Sequence, residues 1–172
     1  MWILMVWWER SDEPGSDKYL LLVAYIVGLS IGIHLLVAQC IFLAGLFFYF
    51  KRYDYTPKTL FIAFGLSAIA FFIVYPGLVK KFPLLMSGSV ALGVAVIGLL
   101  VFGIYYARQK MNPILSLLTL SLFLIILGYS TYISILERAN VTNLPINENK
   151  PSDIETLVSY LNREQYGQQP LL

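Results

Sequence analysis

Apolar residues in this chain gather in long blocks rather than alternating with polar ones. Residues 19–50 carry no formal charge, and further apolar blocks fill 59–79, 84–107 and 114–136. Short polar runs separate them: Lys51-Arg-Tyr-Asp-Tyr-Thr-Pro-Lys58, Lys80-Lys81-Phe-Pro83 and Arg108-Gln-Lys-Met-Asn-Pro113. Apolar blocks of about twenty residues predict helices that cross a membrane. The block at 19–50 is too long for one crossing, since as a single helix it would reach about 48 Å against a hydrocarbon core of about 30 Å. It reads as two short helices, 19–33 and 35–50, turning back near Gly28-Leu-Ser-Ile-Gly32-Ile-His34. The expected fold class is all-α: a polytopic membrane helical bundle of about five segments, the first two a hairpin.

The flanks complete the domain plan, with a membrane region over 1–136 and an extracytoplasmic tail over 137–172. Residues 1–8 are apolar but too few to span, and read as the remnant of a preceding crossing with tryptophans at the interface. No basic run precedes them and no small-residue cleavage site follows, so they do not form a signal peptide. Pro14-Gly15 stops the polar turn after them, and Pro76-Gly77 breaks the block at 59–79 near its end. Glycines at 88, 93, 98 and 103 form a near-regular series that would let a neighbouring backbone approach closely. In the tail, Ser152-Asp-Ile-Glu155 fits a capping box. Ile154, Leu157, Val158 and Leu161 then give one apolar stripe on an amphipathic helix over 152–166, which would pack on a partner domain or lie on the membrane surface.

Composition supports the membrane reading. Of 172 residues, 58% are apolar and 13% charged, and the mean hydropathy of +0.72 is outside the range of soluble domains. A net charge of +2 makes no case for nucleic acid. The basic residues act instead as topology markers. With a hairpin, Arg10, Lys18, Lys51, Arg52, Lys58, Arg108 and Lys110 share one side, which the positive-inside rule makes cytoplasmic. Lys80, Lys81, Arg138 and the tail then face the other side. Cys40 is the single cysteine, which excludes a disulfide framework or a thiolate metal site.

His34, the single histidine, stands at the hairpin apex, where an ionisable group is a functional candidate by default. The alternative is a neutral ring hydrogen-bonded to a carbonyl freed by the helix break. Arg138 and Arg163, beside Glu137 and Glu164, could hold a phosphate-bearing headgroup through bidentate hydrogen bonds or form ordinary surface ion pairs. Asn140-Val-Thr142 matches a glycosylation acceptor. No phosphate loop, dinucleotide fingerprint, nucleophile elbow or zinc signature is present, and no cofactor is identified.

Two stretches carry a family likeness. One is Gly28-Leu-Ser-Ile-Gly-Ile-His-Leu-Leu36 with the Trp8-Glu-Arg turn before it. The other is Tyr160-Leu-Asn-Arg-Glu-Gln-Tyr-Gly-Gln-Gln-Pro-Leu-Leu172. Together they resemble a family of bacteroidete multispanning proteins that is similar to GT-C glycosyltransferases and to a protein O-mannosyltransferase of plexin-type receptors. The resemblance implies a multi-pass enzyme of the bacterial inner membrane that moves a sugar, mannose among the options, from a polyprenyl-phosphate donor to a protein or other acceptor on the periplasmic face. It implies that His34 lies near the lipid phosphate, with Arg163, Arg138 and Tyr166 as further substrate contacts. Val37 stands where members of the family carry asparagine. The family's acidic motif, the expected base for the acceptor hydroxyl, is not in this sequence, so the chain reads as an internal slice without its catalytic acid. The competing class is a non-catalytic membrane subunit or transporter element.

Overall fold

The computed structural model describes residues 1–162, 164 and 167. Its regular structure is all helical, with no strand among the described residues. In order the helices are α1 (Trp2–Arg10), α2 (Asp17–Ile31), α3 (Gln39–Arg52), α4 (Pro57–Phe72), α5 (Phe82–Gly88), α6 (Val90–Gln109), α7 (Pro113–Tyr129), α8 (Ile133–Ala139) and α9 (Ile154–Asn162). A 3-10 turn over Leu35–Ala38 leads into α3, and another over Ser130–Tyr132 joins α7 to α8.

Local chemistry starts several of these helices. Thr56 and Thr59 form a reciprocal capping box before α4, with Pro57 in the first turn where its missing N–H costs nothing. Asn112 accepts from the Leu115 amide at 2.9 Å ahead of Pro113 and α7. The cap of α9 falls one residue later than the Ser152–Glu155 box expected. The Asp153 carboxylate accepts from the Thr156 amide at 2.8 Å, and the Thr156 hydroxyl accepts from the Asp153 amide at 3.1 Å. These bonds from Thr156 hold the exposed Asp153 carboxyl below its ordinary range.

The long uncharged block reverses direction. α2 ends at Ile31 and α3 returns antiparallel to it, so that the far ends of the two helices meet. There Arg52 Nη2 donates to the Ser11 carbonyl at 3.0 Å, and Lys51 pairs with Asp12 at 3.5 Å. The first helix closes this end: Leu4 and Trp7 of α1 are fully buried with Leu20 of α2, against Phe47 and Phe48 of α3. Neither α2 nor α3, at 15 and 14 residues, is long enough alone to match a hydrocarbon core of about 30 Å. Three continuous helical stretches are long and apolar enough to cross: Pro57–Leu85, Val90–Gln109 and Pro113–Ala139.

α2 packs along α7, α3 along α4, and α6 along α7. The α2–α7 crossing is a glycine contact. A Cβ at Gly28 would run into the Ile125 backbone, with its Cα at 2.9 Å, and one at Gly128 would sit 2.6 Å from the Tyr25 carbonyl oxygen. Gly45 meets Ser67 in the same way between α3 and α4. Three glycines of the 88–103 series, Gly88, Gly98 and Gly103, do not have this role, while Gly93 is buried within α6. Gly88 and Gly98 face open space, and Gly103 only touches a Thr119 methyl at 3.4 Å. Side chains of α4 and α6 such as Phe61, Leu66, Leu99 and Phe102 are largely exposed, as lipid-facing residues are.

Between α4 and α5 the expected loop at Lys80-Lys81-Phe-Pro83 does not open. Residues Ile73–Lys81 wind instead as a π-helix around Pro76. Proline lacks an N–H and crowds the carbonyl four residues back, and the wider turn relieves both problems while keeping the chain helical. Tyr129 closes it from the other side, its hydroxyl donating to the Val79 carbonyl at 3.1 Å. The α9 stripe then packs on this chain's own α5 and π-helix, with Leu157, Val158 and Leu161 buried. The expected extension of α9 to 166 falls largely outside the described residues.

Candidate functional site

The hairpin apex gathers its residues from four elements. Gly32 ends α2 against the Tyr132 ring, where a Cβ would lie 2.6 Å from Cδ2. Tyr132 stacks on Tyr129 with centroids 5.5 Å apart, and Tyr129 reaches Val79 of the π-helix. Ala38 of the 3-10 turn and Val79 are both fully buried in one core cluster with Ile31, Leu78 and Ile125. A rigid platform therefore underlies the apex. Above it Ile33 is 89% exposed, and His34 and Leu36 are exposed as well.

His34 is oriented by its neighbours. Its backbone is extended and its amide donates to the Ser30 carbonyl at 2.8 Å, beside the Ile33 amide at 2.9 Å. The ring Nδ1 accepts from the Leu36 amide at 3.3 Å, which makes His34 the N-cap of the 3-10 turn. The ring thus satisfies an amide, not the freed carbonyl that sequence reasoning offered as its alternative role. A nitrogen that accepts carries no proton, so in this geometry the ring proton belongs on Nε2. Nε2 has no partner among the described residues, and the exposed ring leaves it as a free donor.

Other cations lie at the same end of the bundle. Lys80 Nζ sits 5.5 Å from the Tyr75 ring centroid, and Tyr75 stacks on Phe71. Lys81 is exposed in the last turn of the π-helix. Arg138 is exposed in the last turn of α8. It forms no ion pair with Glu137, so the surface-pair reading fails there. No hydrogen bond or ion pair joins Arg138 to His34. Arg163 and Tyr166, the other two sequence candidates, lie outside the described residues. Asn140 of the glycosylation triplet spends its side-chain amide on the Leu136 and Ser152 carbonyls, both at 2.9 Å, and so ties the end of α8 to the residues just before α9. Among the described residues no cluster of His, Cys, Asp or Glu could hold a metal ion.

Sequence reasoning missed Tyr129 and Tyr132 as parts of this apex, and put Lys80 on its side of the membrane without giving it a role there. Two tyrosines three residues apart at the end of an apolar block were the available signal for a polar-tipped support. The arrangement can offer an anion a neutral hydrogen-bond donor on His34, with Lys80 and Lys81 at the same end of the bundle.

An all-helical chain with three helices long and apolar enough to cross a membrane points to a membrane protein. Residues 1–57, which contain α1, the hairpin and His34, match the family model described as Protein O-mannosyl-transferase TMEM260 N-terminal domain. The match covers about a third of the chain and leaves α4–α9 and the Tyr160 stretch outside it. No curated protein and no solved structure matches the chain.

Proposed function

We propose that these helices form the membrane part of a glycosyltransferase that moves a sugar, mannose, from a polyprenyl-phosphate donor to a protein acceptor on the periplasmic face. The carrying observation is that the segment similar to a protein O-mannosyl-transferase domain folds into a hairpin with His34 at its apex. The apex is the periplasmic end in this reading, and the Arg10, Lys51 and Arg52 end is cytoplasmic, as the positive-inside rule favours. His34 Nε2–H donates to a phosphate oxygen of the lipid donor, and Lys80 or Arg138 supplies positive charge nearby. The bacterial inner membrane is the location that goes with such a donor.

The test separates the two jobs of the ring. His34→Asn keeps an acceptor for the Leu36 amide but does not reach as far, whereas His34→Gln keeps a donor at the reach of Nε2. A hydrogen bond to a charged group contributes about 1.5–3 kcal/mol, so its loss slows transfer by about ten- to a hundredfold. Sugar transfer from a polyprenyl-phosphate-linked donor in membranes, at matched protein levels, should fall by that factor in His34→Asn and His34→Ala and only partly in His34→Gln. Transfer at the parent rate in His34→Ala would reduce the histidine to a cap.

A further inference from the structure

At the opposite end of the bundle from His34, the beginnings of α2 and α7 and the end of α3 enclose an open groove of about 360 Å³. Phe48, Pro113, Ile114 and Leu117 line it with the Tyr53 ring, so its walls are mostly apolar. Two charges of opposite sign stand in it, Asp17 and Arg52. They do not pair with each other. Among the described residues the Asp17 carboxylate has no hydrogen bond or ion pair, although Lys51 and Asp12 pair close by. Arg52 donates once, to the Ser11 carbonyl, which fixes the guanidinium and leaves most of its five N–H groups free. Each charge suits its own helix end, acidic in the first turn of α2 and basic in the last turn of α3. Helix-end preference explains their presence, but not why both line one apolar groove without meeting.

We propose that this groove seats a zwitterionic phospholipid of the surrounding leaflet, one with a phosphoethanolamine headgroup. Its phosphate takes the free edge of Arg52, its ammonium takes Asp17, and the upper part of its chains lies along Phe48, Ile114 and Leu117. Arginine suits phosphate through paired N–H donors. An anionic headgroup would satisfy Arg52 but face Asp17 with like charge, and that contrast selects the zwitterion. The volume is at the small end for ligand sites, which fits a headgroup and glycerol rather than a whole lipid. The inference needs only that the helices stand in a membrane, and it is independent of the glycosyl-transfer reading.

Native mass spectrometry of the full chain in mixed micelles decides it, with equal amounts of a dioleoyl phosphatidylethanolamine and the matching phosphatidylglycerol as probes. The parent should retain the ethanolamine lipid about fivefold over the glycerol lipid, the size of one partly exposed ion pair. Asp17→Asn, which breaks no hydrogen bond or ion pair among the described residues, should bring that ratio to about one. Arg52→Lys should keep the preference, and Lys58→Gln, outside the groove, should leave it unchanged. Equal retention by the parent, a preference for the glycerol lipid, no retained lipid, or an undiminished preference in Asp17→Asn would each overturn the assignment. If lipid selection holds while the His34 variants transfer sugar normally, this inference survives and the functional one fails.

Discussion

Trp7 shows how a single side chain can be held by packing while one of its polar atoms goes unserved. It is fully buried between Leu4, Leu20 and Phe48, with its ring stacked on Phe48 at 5.9 Å, yet its indole N–H finds no hydrogen-bond partner among the described residues. A buried unsatisfied donor costs about 1–3 kcal/mol, so the apolar contact must outweigh it. Trp7→Phe removes the orphan donor and keeps a ring in the stack. It should change stability by less than about 1.5 kcal/mol, whereas Trp7→Ala should cost about 3–5 kcal/mol. Loss of helical signal on denaturation in detergent measures both. Equal losses would mean that the N–H is bonded in the folded protein. His34 makes the complementary case: one ring nitrogen is used locally as a cap, and that use is what leaves the other free. Its position at the apex was legible in the sequence. Its capping role was not, because caps are usually sought among serine, threonine, asparagine and aspartate.

At the scale of the helix, contacts depend on which faces meet, and spacing within one helix does not reveal that. The evenly spaced glycines of α6 resemble a packing seam, yet Gly98 meets nothing, while Gly28 and Gly128 are a hundred positions apart and meet at a crossing. Gly28→Val therefore drives a branched side chain into the Ile125 backbone and should cost about 1–3 kcal/mol or more, with α2 and α7 forced apart. Gly98→Val should be neutral or mildly stabilising, since valine is at home in a lipid-facing helix. Thermal unfolding of both variants in detergent checks the contrast, and a larger loss for Gly98→Val would contradict this packing. Pro76-Gly77 shows the same limit. Local rules read a break there, but the Tyr129 hydroxyl on the Val79 carbonyl supports a wide helical turn instead. The tail helix was legible from its stripe, and only its cap shifted, because aspartate followed three residues on by threonine competes equally well with the serine–glutamate pair before it.

The whole molecule turns on the reversal at residues 32–38. It was legible because length alone forbids a single crossing by so long an uncharged run, and the folded chain brings Ser11 to Arg52 and Asp12 to Lys51. That contact decides which segments share an end of the bundle. The turn at 11–16 and the loop at 53–56 belong to one end of the bundle, as does Pro113, which lines the groove with Arg52. The 140–152 segment belongs to the other end, tied to α8 by Asn140 and Asn147. In a Cys40→Ser background, single cysteines at Glu13, Asp54 and Asn149, all exposed positions, should therefore divide two against one. An impermeant thiol reagent applied to right-side-out cells should label Asn149→Cys and spare Glu13→Cys and Asp54→Cys until the membrane is opened, because the end rich in lysine and arginine stays cytoplasmic. Opposite labelling of Glu13→Cys and Asp54→Cys would require residues 19–50 to cross as one span, and the Ser11–Arg52 contact could not then exist. Labelling of that pair before Asn149→Cys would keep the hairpin but invert it, placing His34 on the cytoplasmic side and overturning the proposal of a periplasmic donor site there.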